Sequence, residues 1–248
     1  VKRPFLKLKF AEVPNNYNEM TLVMKGNYSV VFRAYNDGLA YRFVTSLKGE
    51  VKVNHEDITV FFPQDAQLVL QQSDRYRTSY EERYSFVKSS EWLSFQKMAH
   101  YPVLAITSGG TKILMSESDL CDYPAPFFRS NDANGFSSVF PRVPAVEKPR
   151  SDKSNDVLLR HPYIAKTQGT RSFPWRYFVI AKDEAALVTN TMTCRLAQDS
   201  KLQDVSWIVP GQASWEWWNG AVPYGPDVNF KAGLNVETYK YFMDFASK

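Results

Sequence analysis

The sequence predicts a mainly β protein, a sandwich of antiparallel sheets, followed over its last stretch by a strand–loop–helix segment of different character. Three observations carry that prediction. Apolar and polar residues alternate through one short run after another. Clusters of Gly, Pro, Asp and Ser separate the runs at short spacing. No helical periodicity interrupts them until "NVETYKYFMDFASK" near the end, where apolar residues recur every three or four positions.

Taken in order, "VKRPFLKLKF" alternates like a strand and lacks the apolar core of a signal peptide, so an exported protein would already have lost that segment. In "YSVVFRAYNDGLAYRF", Tyr28, Val30 and Phe32 alternate with Ser29, Val31 and Arg33. The "NDG" of Asn36 to Gly38 is a hairpin turn signal, and Leu39, Tyr41 and Phe43 continue the partner strand. "HEDITVFFP", "AQLVLQQ", "YPVLAITSGG" and "TKILMSES" come next as further short strands. From Arg129 to Lys153 the alternation fails, and a Pro-, Ser-, Asn- and charge-rich excursion is expected there, of the kind that is functional, interfacial or mobile. "WRYFVIAKD" and "EAALVTNTMTCRL" read as two more strands, with Asp183 and Glu184 at their turn.

After about Leu196 the character changes. "SKLQDVSWIVPGQ" reads as a linker into "ASWEWWNG", a strand-like run, and four of the six tryptophans fall between Trp207 and Trp218. Asn235 is a fitting helix N-cap, and Val236, Tyr239, Phe242, Met243 and Ala246 form one apolar stripe after it. A strand followed by a helix is half of a βαβ unit, and that stripe needs a parallel sheet beneath it. The expectation is therefore a piece of a longer protein: residues 1–195 a β-sandwich domain, residues 196–248 a linker and the first strand–helix unit of a second domain. The alternative is a small α+β appendage packed on the sandwich.

Composition bounds the partners. The net charge of +4 is modest and no basic run forms a stripe, which excludes a nucleic-acid surface of the usual kind. No apolar run approaches the roughly eighteen residues that a membrane-spanning helix needs. Aromatic residues, at 15%, are abundant, as in both sandwich cores and sugar-binding surfaces. Cys121 and Cys194 show no zinc-site spacing; two free, mostly buried thiols are expected, and their separation neither supports nor excludes a disulfide. His55, His100 and His161 are too scattered to suggest a histidine-rich metal centre.

"FPWRYFVIAKDEAALV", "DVSWIVPGQASWEWWN" and "AGLNVETYKYFMDFA" resemble the region joining the N-terminal domain to the barrel in glycoside hydrolase family 97, the bacterial α-glucosidases and α-galactosidases. "FRAYNDGLAYRF" and "LMSESDLCDYPAPF" resemble that family's N-terminal domain. The resemblance implies a β-super-sandwich like that of galactose mutarotase, here lacking its first strands, then the start of a (β/α)8 catalytic barrel. It implies an exo-acting α-glycosidase acting on an oligosaccharide or other α-glycoside, in the periplasm or outside the cell. The remaining barrel strands, which carry the catalytic carboxylates of glycoside hydrolysis, would lie downstream. No catalytic residue is therefore expected within this chain, and the chain alone should be inactive.

The resemblance also implies two sets of site residues. In the family an N-terminal-domain glutamate helps hold a calcium ion, and Glu117 in "MSESDLCDYPAPF" matches it, with Asp119 and Asp122 as nearby alternatives. Calcium takes carboxylate and carbonyl oxygens, and a single distant ligand can join others. "ASWEWWNG" would be the first barrel strand, which sets Trp217, Trp218 and Asn219 at its ligand-facing C-terminal end. Indole faces suit pyranose rings, and amides bond sugar hydroxyls. Strand alternation separates Trp215 and Trp217 from Glu216 and Trp218, so some of these side chains must instead fill the barrel floor or the seam with the sandwich. Glu216 reads as a structural partner of an arginine. Two other readings stay open: a carbohydrate-binding sandwich with exposed Tyr123, Phe127 and Phe128, and a mutarotase-like enzyme, for which the three histidines lack motif context.

Overall fold

The computed structural model describes residues 1–4, 9–92, 97–131, 134–151, 154–211, 213, 215, 220 and 222–248. The chain divides into two compact units, one built on Phe10–Asp199 with Val1–Pro4, the other on Ser200–Lys248. The first is mainly β and antiparallel throughout its sheets. Its strands are β1 (Asn18–Met24), β2 (Tyr28–Tyr35), β3 (Gly38–Val53), β4 (Thr59–Phe61), β5 (Gln67–Ser73), β6 (Tyr84–Lys88) and β7 (Met98–Ile106). They continue as β8 (Lys112–Ser118), β9 (Phe127–Ser130), β10 (Gly135–Val139), β11 (Pro144–Ser151), β12 (Ser154–Arg160), β13 (Ala165–Ser172) and β14 (Trp175–Ala181).

Twelve of these strands form one hydrogen-bonded network in the order β1-β2-β3-β14-β8-β7-β9-β10-β4. Strand β13 joins it on β3, and β5 on β7 carries β6 at its edge. The predicted hairpin is present: β2 and β3 pair from Tyr28↔Thr45 to Tyr35↔Gly38. Gly38 is required there, since a Cβ would fall 2.2 Å from the Phe178 carbonyl oxygen. Strand β3 is long enough to serve two partners along its other edge. Its first residues pair with β14 and its last with β13. Phe173 and Pro174 interrupt what would otherwise be a single long partner strand, because proline has no N–H to donate.

Alternation on β14 divides the interior into two cores. Trp175, Tyr177 and Val179 pack in one cluster with Ala40, Met192 and Leu196. Phe178 packs against the other cluster, which holds Leu68, Leu70, Val103, Met115, Phe128 and Phe136. Cation–π contacts flank Trp175, with the guanidinium carbons of Arg42 and Arg33 at 4.3 and 4.6 Å from its ring.

Three expectations are corrected by the structure. The stretch from Arg129 to Lys153 is largely strand: β10 belongs to the main network, and β11 pairs with β12 in a separate two-stranded ribbon. Every residue of β11 is exposed, so neither face demanded apolar alternation, and Pro144 and Pro149 sit in a ribbon with no further partner strand among the described residues. The stretch "EAALVTNTMTCRL" is not a strand but two short helices, α1 (Glu184–Val188) and α2 (Met192–Leu196). Asp183 caps α1 by accepting from the Ala186 N–H at 2.9 Å, so the residues read as a turn begin a helix. Both cysteines are free as expected, but Cys121 is exposed rather than buried.

In the second unit the helix stands where the sequence puts it, α3 (Val236–Ala246), with Asn235 Oδ1 accepting from the Thr238 N–H at 2.9 Å. Its stripe is largely uncovered: Val236 is 63% exposed and Met243 60%. Among the described residues from 200 to 235 there is no strand.

Candidate functional site

A row of side chains crosses three neighbouring strands on the face turned to the larger core. Tyr41 of β3 stands opposite Arg176 of β14, which in turn stands opposite Glu117 of β8. Directly opposed residues of an antiparallel pair share a face, so the register alone brings these three together. Arg176 is 1% exposed. Its guanidinium donates through Nε and Nη2 to the two oxygens of Glu56, at 2.9 Å each, and through Nη1 to Glu117 Oε2. Glu56 comes from the segment between β3 and β4, and the Phe140 ring lies 5.9 Å from the guanidinium carbon.

The electrostatics arise from burial and from a mismatch in number. Burial alone would lower the Arg176 pKa, but the hydrogen bonds and charge of Glu56, with the charge of Glu117, raise it overall. Burial pushes the Glu117 carboxyl up to about 7. Arg176 opposes that rise and the Glu56 charge adds to it. One guanidinium cannot neutralise two carboxylates, so an ionised cluster carries one net negative charge. Three phenols surround it. Burial, then the Glu56 charge, pushes Tyr41 up to about 12. Burial likewise raises Tyr101 and Tyr123, so all three remain neutral hydrogen-bond donors.

Glu56 also stands on the walls of two clefts. One of about 380 Å³ has Tyr28, Phe43, Tyr123 and Phe173 on its apolar side and Thr45, His55 and Glu56 among its polar groups. The other, about 280 Å³, is bounded by Glu56, Tyr76, Phe140 and Arg142. Buried carboxylate oxygen with surplus negative charge is the donor chemistry that a hard divalent cation takes. Among the described residues no group of three or more His, Cys, Asp or Glu side chains could hold a metal ion, so a cation here would need oxygens from elsewhere.

Of the residues singled out in the sequence, Glu117 lies in this cluster. Asp119 and Asp122 do not join it. Asp119 accepts from the Gln198 N–H at 2.7 Å and sits 4.0 Å from Arg42, whereas Asp122 accepts from the Thr167 hydroxyl at 2.7 Å and pairs with Arg171. Both adopt the left-handed backbone that turns the chain out of β8, a conformation Asp tolerates. Trp217, Trp218 and Asn219, with Glu216, lie outside the described residues. Tyr123 lines a cleft, but Phe127 and Phe128 are 2% and 0% exposed and so offer no surface to a sugar. The histidines are not gathered: His100 is buried against Tyr80, His161 stacks on Tyr163, and His55 stands exposed beside Asp57. Sequence reading missed Arg176 and Glu56. Arg176 had a signal, a lone charge in the apolar run "WRYFVIA"; Glu56, in the polar "NHED", had none.

A mainly β, antiparallel domain with a buried carboxylate–guanidinium cluster is the class these features define. The family model described as glycosyl-hydrolase 97 N-terminal matches residues 5–198, and the chain belongs to that family. A retaining alpha-galactosidase of Bacteroides thetaiotaomicron is 33% identical over 259 aligned positions, which take in all of this chain and 38% of that relative. The chain thus spans well under half the length of this curated relative. A glycoside hydrolase family 97 enzyme from Pseudoalteromonas sp. strain K8, solved with panose and with acarbose, superposes with a TM-score of 0.66 in both cases. The match covers 94% of this chain and 37% of that one at 19% identity, which establishes likeness of fold.

Proposed function

We propose that this chain is the N-terminal portion of an exo-acting α-glycosidase, a retaining α-galactosidase that removes terminal α-linked galactose. The 33% identity across its whole length to a retaining alpha-galactosidase carries the reading. The twelve-stranded antiparallel network, with β3 and β7 each bonded to three other strands, supports a galactose mutarotase-like super-sandwich. The largely exposed stripe of α3, with no strand among the described residues from 200 to 248, supports a first barrel helix. On this reading the catalytic carboxylates belong to the rest of the barrel, and Trp217, Trp218 and Asn219 contact the sugar from the end of the first barrel strand. Export to the periplasm or beyond fits a substrate met outside the cytoplasm.

Calcium belongs to the same reading, with Glu117 as the ligand from this domain and the others from the barrel. The surplus negative charge of the Glu56–Arg176–Glu117 cluster and its oxygen donors suit that ion. When bound, it would orient water and favour the charged form of the carboxylates around it.

Chromogenic α-galactoside and α-glucoside test the proposal directly. The chain alone is expected to turn over neither. The full-length protein is expected to cleave the α-galactoside, releasing the α-anomer first by NMR, and to lose activity in chelator. Preference for the glucoside, or turnover by the isolated chain, would overturn it. Trp217→Ala and Trp218→Ala are expected to raise KM for the α-galactoside.

A further inference from the structure

We propose that Glu56 is a positioning residue for calcium: by neutralising Arg176, it lets that arginine orient Glu117 without cancelling the charge Glu117 offers to the ion. The proposal rests on Glu117 being a calcium ligand.

The geometry divides the guanidinium between two partners unequally. The Nε–Nη2 edge goes to Glu56 as a two-bond fork, with both oxygens at 2.9 Å. Only Nη1 reaches Glu117. The fork is the stronger and better aligned arrangement, and it ties Arg176 to a rigid counter-charge. A single donor then fixes one Glu117 oxygen. The side chains of Arg176, Glu56 and Glu117 are 1%, 9% and 12% exposed, so water and salt screen their charges weakly. Without Glu56, Arg176 and Glu117 would form a neutral pair. The Glu117 charge would then be spent on Arg176, and a cation approaching that carboxylate would be repelled by a guanidinium with no second counter-charge.

Among the described residues no other carboxylate can replace Glu56 in this task. Asp119 and Asp122 are bonded elsewhere, and the Asp57 side chain is 82% exposed beside His55. The surrounding phenols, Tyr41, Tyr101 and Tyr123, carry no charge to contribute. Supporting residues of this kind commonly change metal affinity about 10- to 100-fold when they are altered.

The test is calcium titration calorimetry on metal-stripped full-length protein, paired with thermal unfolding in chelator and in calcium. Glu56→Gln is expected to weaken calcium binding by about tenfold or more and to shrink the calcium-induced rise in Tm. A purely structural role would lower Tm equally in both conditions and leave the rise intact. The double variant Glu56→Gln with Arg176→Met removes both charges and leaves Glu117 with its own. It is expected to recover affinity to within about fivefold of wild type, a non-additivity that reports coupling between the two residues. Should Glu56→Gln fail to fold, the double variant decides: near-wild-type affinity supports the proposal, and a loss of about tenfold or more overturns it. Unchanged affinity in Glu56→Gln, or a double variant as weak as the single, also overturns it. Glu117→Gln binding calcium like wild type would instead overturn the calcium reading itself.

Discussion

Burial of Glu117, stronger than the opposing pull of Arg176, makes stability depend on pH in an unusual direction. Most carboxylates in folded proteins titrate low and stabilise as pH rises. Glu117 does the reverse. Its folded-state pKa of about 7 lies above the ordinary value of 4.5, so between those pH values the folded chain holds a proton that the unfolded chain has released. Its contribution is therefore whole below pH 4.5 and is lost progressively as pH rises to about 7, an effect on the order of 3 kcal/mol. Urea unfolding in chelator from pH 4.5 to 8 should show this fall, and Glu117→Gln should flatten it. Arg176→Met alone leaves Glu56 and Glu117 facing each other without a counter-charge and should cost about 3–5 kcal/mol. The residues of this cluster were legible to different degrees. Glu117 sits in a motif that names it. Arg176 is marked by its apolar neighbours. Glu56 meets Arg176 only because the chain returns across 120 positions, and no local pattern encodes that.

At the scale of elements, strands were read where one face is buried and missed where that condition fails. The β2–β3 hairpin alternates because its residues have an inside and an outside. Ribbon β11–β12 has no inside, so its sequence carries no period. The segment Glu184–Leu196 misled for a different reason: Val188, Thr189, Thr191 and Thr193 are β-branched and favour strands, yet side-chain bonds to the backbone override them. Asp183 caps α1, and Asn190, one residue before the N-cap of α2, accepts from the Met192 N–H at 2.8 Å in a turn that leads into that helix. A tertiary tether completes the override. Asp37, in the β2–β3 turn, accepts from Asn190 Nδ2 at 2.8 Å and from Arg195 Nη2 at 2.5 Å. Asp37→Ala removes a charge-assisted bond and leaves the mostly buried Arg195 side chain unpaired, a loss of about 1–3 kcal/mol. Hydrogen exchange should locate the effect: the amides of α2 should lose protection, while those of β5 and β7, in the other core, keep theirs.

For the molecule as a whole, the antiparallel β class was legible because alternation and turn chemistry agree along most of the first unit. The segment after the sandwich was legible only as a strand–helix pattern and a resemblance; α3 stands where the pattern put it, whereas most of the expected strand, Glu216 to Asn219, lies outside the described residues. A truncation series turns the division into a measurable claim. Among the described residues, both cores draw on positions between Val31 and Leu196. Lys2 then holds the end of the first unit, donating to the Ala197 carbonyl at 2.9 Å and pairing with Asp199 at 2.7 Å. A chain ending at Asp199 keeps all of these contacts and should unfold cooperatively, with the β circular dichroism of the longer chain and a similar Tm. A chain ending at Thr189 loses α2, and with it Met192 and Leu196, buried at 1% and 3%, and the Asp37–Arg195 pair. Removing large buried apolar side chains costs about 2–5 kcal/mol each, comparable to the whole stability of a domain, so this shorter chain should be largely unfolded at 25 °C. Loss of β structure already at the Asp199 boundary would mean that residues 200–248 help to complete the sandwich, and would favour the packed appendage over the first unit of a barrel.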